Sequence, residues 1–259
     1  MVSPPRLIFC AGGNAGFYEI AAAAGFAYGS QLPETVYGPL LFADQDFKRP
    51  NRAAYMAALA HHRPQMATVL DLEQAAQCTT VLDWAAEAAH YVAQVIIIPK
   101  YPGAIQRLPR SIGPAEVVLG YSIPTRYGGA PPELDLAEFA GFPVHLLGGS
   151  PHHQIAFYCA FTGRPAPRWM GPRLRHFLAR YATFGPIAEV RSVDGNMMQL
   201  QANRRCAFWR QEVGARGHWV QLSEVGAGGF GRDSHREAFR RSCRNIIQAW
   251  SDLHAREDE

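Results

Sequence analysis

Two aspartates close apolar runs in this chain, and a carboxylate so placed can move a proton or attack an electrophilic carbon. Asp71 follows Ala67–Leu70 and leads into Leu72 and Glu73, while Asp194 follows Ala188–Val193 and opens an Asp-Gly-Asn turn with Gly195 and Asn196. A side chain leaving the carboxyl end of a buried strand stands in the mouth of a parallel α/β fold. Partial desolvation there raises a carboxyl pKa toward the range that suits proton transfer. Each residue also has a plainer reading, Asp71 as the N-cap of the next helix and Asp194 as a turn residue. Glu73 doubles the local carboxylate density, and Gly195 leaves space for a ligand to approach the backbone.

Further polar groups fall at other strand ends. Tyr121 and Ser122 lie in GYSIPTRYGG, and His145 precedes the Gly148-Gly149 turn, which His152 and His153 follow. No H-E-x-x-H or H-x-H spacing is present, so the histidines are expected to face solvent or substrate, not a metal. The segment AGGNAG (11–16) matches neither G-x-G-x-x-G nor a P-loop, and no cofactor is expected. The five cysteines, odd in number and without a C-x-x-C pair, signal neither a disulfide framework nor a compact zinc site. They fit a reducing, cytoplasmic setting.

The elements that must carry these residues alternate between short apolar runs and longer Ala-rich stretches. Strands are expected at Leu7–Cys10, Phe26–Gly29, Ala67–Leu70, Gln94–Ile98, Val117–Gly120, Val144–Leu147, Ala188–Val193 and His218–Leu222. Helices are expected at Arg52–His61, Val81–Val92, Pro172–Tyr181 and Arg236–His254. The continuous run Val95-Ile96-Ile97-Ile98 is what a strand covered on both faces requires. Eight strands interleaved with helices predict an α/β fold of the TIM-type (β/α)8 barrel class. With no linker or repeat in sight, residues 1–259 read as a single domain, 1–222 forming the barrel and 233–255 a C-terminal basic helix. The opening residues read as a first strand, not a signal peptide, and no run approaches the roughly 20 apolar residues of a membrane span.

The formal net charge of +3 conceals an asymmetry: sixteen arginines lie from Arg164 onward, against two lysines in the whole chain. Arginine's planar fork binds two phosphate oxygens at once. Arg204, Arg205, Arg236, Arg240 and Arg244 are therefore candidate contacts to a nucleic-acid backbone, and the last three share one face of the C-terminal helix. The plainer readings are a solvated helix surface and a genome that spells basic residues as arginine.

Taken together, VLDLE, VVLGYSIPTRYGG, PVHLLGGSP and VRSVDGN resemble the tRNA-guanine transglycosylase superfamily, most closely its divergent phage and bacterial branch that inserts 7-deazaguanines into DNA. The resemblance spans roughly Leu7 to Trp209. It implies that Asp194 is a glycosyl-accepting nucleophile and Asp71 the proton-transfer acid. It also implies that Gly148, Gly149, Tyr121, Ser122, Glu73, Asn196 and His145 line the base pocket. The implied reaction replaces guanine with a 7-deazaguanine, the 7-cyano form first, in DNA of a bacterial or phage-infected cell. The zinc cluster of the tRNA enzymes has no counterpart here, and Leu72-Glu73-Gln74 stands where they carry S-G-G-F-Q, so DNA is expected over tRNA. A DNA or nucleoside glycosidase, a zinc-less tRNA enzyme and a non-catalytic nucleic-acid-binding protein are the alternatives.

Overall fold

The computed structural model describes residues 4–11, 13–125, 128–179, 181, 185–210, 218–225 and 233–255, without the side chains of 173 and 225. Eight strands pair side by side, all parallel, and close on themselves: β1 (Arg6–Cys10), β2 (Ala27–Leu32), β3 (Phe42–Gln45), β4 (Met66–Leu72), β5 (Gln94–Pro99), β7 (Ala115–Ser122), β8 (Val144–Leu147) and β9 (Val190–Gly195). The β5–β7 and β9–β1 pairings complete the ring, and the short β6 (Ser111–Ile112) lies antiparallel to β7 outside it. The arrangement is consistent with a TIM-type barrel.

The helices between strands are α1 (Ala15–Ala23), α2 (Arg52–His62), α3 (Cys78–Ala88) and α4 (Pro151–Thr162), with α5 (Pro172–Ala179) after α4. Their starts are written into the sequence: Asn14 and Asn51 cap α1 and α2 by accepting backbone N–H bonds, at 3.0 Å from Gly16 and 3.1 Å from Ala54. Past β9 come α6 (Met197–Asn203), the antiparallel pair β10 (Cys206–Phe208) and β11 (Trp219–Gln221), and α7 (Ser234–Ala255), which packs on α1, α6 and β10.

Several expectations change. The eighth barrel strand is Phe42–Gln45, and the run around His218–Leu222 supplies β11 of the outlying hairpin. Of the helix expected over Pro172–Tyr181, Pro172–Ala179 is helical and Tyr181 lies in a turn, and the helix expected over Val81–Val92 spans Cys78–Ala88.

Strand alternation divides the apolar residues into two cores. Outward residues such as Phe9, Val95, Leu119, Leu146 and Val193 pack under the helices, whereas Ile8, Phe42, Met66, Ile96, Ile98 and Val118 fill the lumen. Each fully buried large side chain of this kind contributes about 1.5–3 kcal/mol. Two inward glycines make the lumen fit. A Cβ on Gly29 would stand 2.9 Å from the Phe42 ring, and one on Gly120 would stand 2.6 Å from Leu147 and 2.7 Å from Ile98.

Two β-bulges re-aim functional positions. In β4 the register steps from Thr68 opposite Ile96 to Asp71 opposite Ile98, which inserts one extra residue. Strict alternation would turn Asp71 outward with Val69; the bulge turns it into the mouth. In β9 a similar step beside Val144 and His145 brings Ser192 and Asp194 onto the lumen side.

Candidate functional site

The carboxyl ends of the strands carry an acidic mouth above the apolar lumen. Asp194, 8 % exposed, is the most heavily tethered group there. Its Oδ1 accepts from the Gly148 N–H at 3.2 Å and faces His145 Nε2 at 3.2 Å, and its Oδ2 accepts from the Cys10 thiol at 3.2 Å. Below it, His145 Nδ1 lies 2.7 Å from Ser192 Oγ, so the imidazole is held at both nitrogens. When Nε2 donates to the carboxylate, the Ser192 hydroxyl fills the other side. The His145 ring also rests on Phe42, centroids 4.9 Å apart.

The glycine turn is shaped for this arrangement. Gly148 and Gly149 have φ of +66° and +74°, which only glycine adopts without strain. Gln154, one turn into α4, locks the turn from behind: its amide donates to Gly148 O at 2.9 Å and to Asp194 O at 2.8 Å. A Cβ on Gly195 would meet that amide at 2.9 Å. The space at Gly195 is thus taken by Gln154, not held for a ligand as the sequence suggested.

A third carboxylate completes the group. Asp44, on β3, accepts from Thr68 Oγ1 at 2.9 Å and from the Gln45 N–H at 3.0 Å. Burial, and next to it the charge of Asp194, lift its pKa to about 7, with a smaller contribution from Asp71. Burial first, then Asp194 and Asp44, raise the Cys10 thiol well above its ordinary value, so it acts as a donor to Asp194. Asp71 pairs with Lys100, Nζ to Oδ2 3.5 Å, at the other side of the mouth. Burial raises its pKa, the Lys100 charge opposes that, and Glu73 adds to it.

The expected residues therefore sort by place. Asp194, His145 and Gly148 are in direct contact, and Asp71 and Asp194 are linked through Asp44, whose ionisation responds to both. His145 is fully buried, so it cannot line a base pocket; it holds Asp194 from beneath. Tyr121 also leaves the site, since its ring turns outward among Phe139, Phe157 and Phe161. Ser122, in register with Leu147, stays on the lumen side, and Asn196 is exposed at the start of α6. Glu73 is exposed on the rim. Arg126 and Tyr127 of the GYSIPTRYGG segment lie outside the described residues. His152 and His153 are half-buried, not solvent-facing: their rings stack 4.3 Å apart, and His152 stacks 4.4 Å from His218. Burial, with the neighbouring imidazoles, pushes His152 down to about 2.

The basic face of α7 is partly neutralised. Glu237 sits within it and pairs with Arg240 at 2.6 Å, Arg241 at 2.7 Å and Arg244 at 3.8 Å. Arg205 donates to Ser234 Oγ at 3.0 Å, Arg204 is exposed, and Arg236 lies over Gly16 at the start of α1. A groove of about 510 Å³ opens at the opposite end of the barrel, between Arg110, Glu116, Glu189 and Arg191. Arg191 is paired there with both glutamates, and the acids of the mouth are remote from it.

Asp44 was not anticipated. The sequence FADQD has only two apolar residues and no strand-length apolar run, and a single Asp carries no periodic signal. Among the described residues, no group of three or more His, Cys, Asp or Glu is arranged to hold a metal ion, and no helix is long and apolar enough to cross a membrane. The profile of a family of unknown function (DUF6610) matches residues 18–251. No curated protein matches the chain.

Proposed function

We propose that this chain, which belongs to the DUF6610 family of unknown function, is a glycosyl-transferring enzyme that exchanges guanine in DNA for a 7-deazaguanine, with Asp194 as nucleophile. The observation that carries the reading is the pairing of two unlike carboxyls. Asp194 is surrounded by donors, and its neighbour Asp44 keeps its proton to about pH 7. Base exchange needs that division of labour, one carboxylate to attack and one acid to protonate. Cleavage and formation of the N-glycosidic bond then follow ordinary steps. Asp194 Oδ attacks C1′ as the C1′–N9 bond breaks, the electron pair leaves with guanine, and the Asp44 proton neutralises the departing base. The incoming 7-deazaguanine returns a proton to Asp44 as its N9 attacks C1′ and releases the Asp194 carboxylate.

We give the proton role expected of Asp71 to Asp44, whose pKa burial and the charge of Asp194 lift to about 7, whereas at Asp71 the Lys100 charge opposes the rise that burial imposes. Asp71, with Lys100, then sets the field that Asp44 feels. The substrate class rests on the resemblance of the strand-end segments, and the arginines of the C-terminal half, Arg204 and Arg236 foremost, support a polyanion. A duplex hides its bases, so the target nucleotide must be extruded at a cost of a few kcal/mol. The setting is the cytoplasm of a bacterial or phage-infected cell.

The test is incubation of the purified protein with a guanine-containing DNA oligonucleotide and labelled guanine or 7-cyano-7-deazaguanine. Label in the strand, lost in Asp194→Asn, supports exchange. Abasic sites without label would replace exchange by hydrolysis. Label in tRNA but not in DNA would move the substrate, and an inert protein whose Asp194 variants bind nucleic acid normally would remove the enzyme reading.

A further inference from the structure

The loop that leaves the mouth after Asp44 has a feature that folding does not account for. Phe47, three residues beyond Asp44, is 64 % exposed. It and Leu200, at 43 %, are the large hydrophobic side chains exposed among the described residues. A solitary exposed apolar residue needs no explanation. These two, however, both lie on segments that leave the acidic mouth, Phe47 after β3 and Leu200 in α6 after β9. Each also has cations beside it. Lys48 Nζ stands 5.7 Å from the Phe47 ring centroid, Arg49 follows with its side chain 90 % exposed, and Arg204 is exposed one helical turn from Leu200.

The Phe47 loop is not a loose strand of chain. Asp46 Oδ1 accepts from the Lys48 N–H at 3.0 Å and the Arg49 N–H at 3.3 Å, and Asp46 O accepts from the Gln45 amide at 2.5 Å. The turn is therefore fixed by its own hydrogen bonds, and it presents an aromatic ring with Lys48 beside it and Arg49 next in the chain. Arg49 meets the Asp46 carboxylate only at 3.8 Å on the surface, which leaves its charge available to a stronger anion.

We propose that Phe47, Lys48 and Arg49 form a docking platform for a single nucleic-acid strand, with Phe47 stacking on an unpaired base next to the one entering the mouth and the two cations gripping its flanking phosphates. A flat ring recognises any base face, and adjacent cations recognise the phosphates that accompany it. A lipid or protein partner would call for a broader apolar patch than one ring followed by two cationic residues. The proposal rests on the nucleic-acid substrate reading above and deepens it, since it names the strand element the rim engages.

The experiment measures binding without turnover. Full-length protein carrying Asp194→Asn is titrated into a single-stranded DNA 12-mer containing 2-aminopurine, the same sequence as RNA, and the matched duplex, with fluorescence anisotropy and 2-aminopurine quenching as readouts. Phe47→Ala on that background should weaken single-strand binding roughly 5- to 100-fold and abolish quenching, and Phe47→Trp should restore both. Lys48→Ala with Arg49→Ala should flatten the salt dependence by about one to two counterions. Weakening on DNA alone, or on DNA and RNA alike, supports the platform. Unchanged affinity and quenching in Phe47→Ala, or no binding of any strand by the parent protein, overturns it. The two readings fail separately. Exchange by wild-type protein with Phe47 dispensable for binding removes the platform alone, whereas a Phe47-dependent strand with no glycosyl chemistry removes the proposed reaction alone. Because Phe47 is solvent-exposed, an unchanged thermal transition confirms that the variant is folded.

Discussion

His145 lies directly beneath Asp194, its Nε2 3.2 Å from Oδ1, while its other ring nitrogen is fixed 2.7 Å from Ser192 Oγ. The relationship is that of a support to the group it orients: the histidine is wholly buried and the aspartate opens to the mouth. His145→Ala should leave a cavity and a carboxylate with one donor fewer, lowering stability by about 1–3 kcal/mol and glycosyl transfer about 10- to 100-fold. Thermal denaturation and kcat with KM report the two effects. A fall in KM-independent turnover larger than the loss of folded protein separates orientation from stability.

Asp44 should give the protein a pH dependence of defined sign. Its carboxyl carries a proton to about pH 7 in the folded chain, against 3.8 as its ordinary value. The folded state then binds the extra proton between those limits, so this group's contribution makes the protein less stable as pH rises from about 4 to about 7. Asp44→Asn, which mimics the protonated form, should stabilise the fold at pH 8 by on the order of 1–4 kcal/mol and change little at pH 4. The same variant should abolish base exchange. Equal thermal shifts at the two pH values would contradict the assignment.

Lys100 is expected to tune Asp71. Its charge opposes the rise that burial imposes on Asp71, so Lys100→Met should raise the Asp71 pKa further and, by leaving the Asp71 charge uncompensated beside Asp44, move the alkaline limb of the pH profile of the proposed reaction upward. Restoration of the profile by Lys100→Arg, but not by Lys100→Gln, would show that charge is the operative property.

The two glycines of the turn should respond differently to alanine. At Gly149 a Cβ would meet Ile123 Cγ2 at 2.7 Å in addition to the strain of φ +74°, whereas at Gly148 nothing lies within 4 Å. Gly148→Ala should cost about 1–2 kcal/mol from backbone strain alone, and Gly149→Ala more. Denaturant midpoints rank the pair. The reverse order would show that Ile123 yields easily.

Much of the barrel was legible because buried parallel strands write themselves as short β-branched runs, as in Val95–Ile98 and Val144–Leu147. Phe42–Gln45 escaped because only Phe42 and Ala43 are apolar, and its last two residues are a site acid and a buried glutamine. The hairpin strand Trp219–Gln221 took its place in the count, since an outlying strand and a barrel strand look alike over three residues. The same blindness explains the site. Asp194 and Asp71 both stand at strand ends, as the rule requires, but each takes its lumen-side aim from a bulge that no residue pattern announces. Tyr121 and His145 illustrate the converse: proximity in sequence to a strand end tells neither which face a side chain takes, as with Tyr121, nor how deeply it is buried, as with His145.

The apolar filling of the barrel has a further consequence. Ile8, Phe42, Met66, Ile96, Ile98 and Val118 close the lumen under the acids, with Gly29 and Gly120 letting the large rings and branches meet. A hydrocarbon plug of that kind is a poor conduit for water, so the open route for hydrons to Asp44 and Asp194 is from above. In the proposed reaction, a nucleotide seated in the opening would cut the acids off from bulk buffer. The count of exchangeable hydrons is then conserved through a turnover, and a deuteron delivered by the entering heterocycle should remain in the pocket until the product departs.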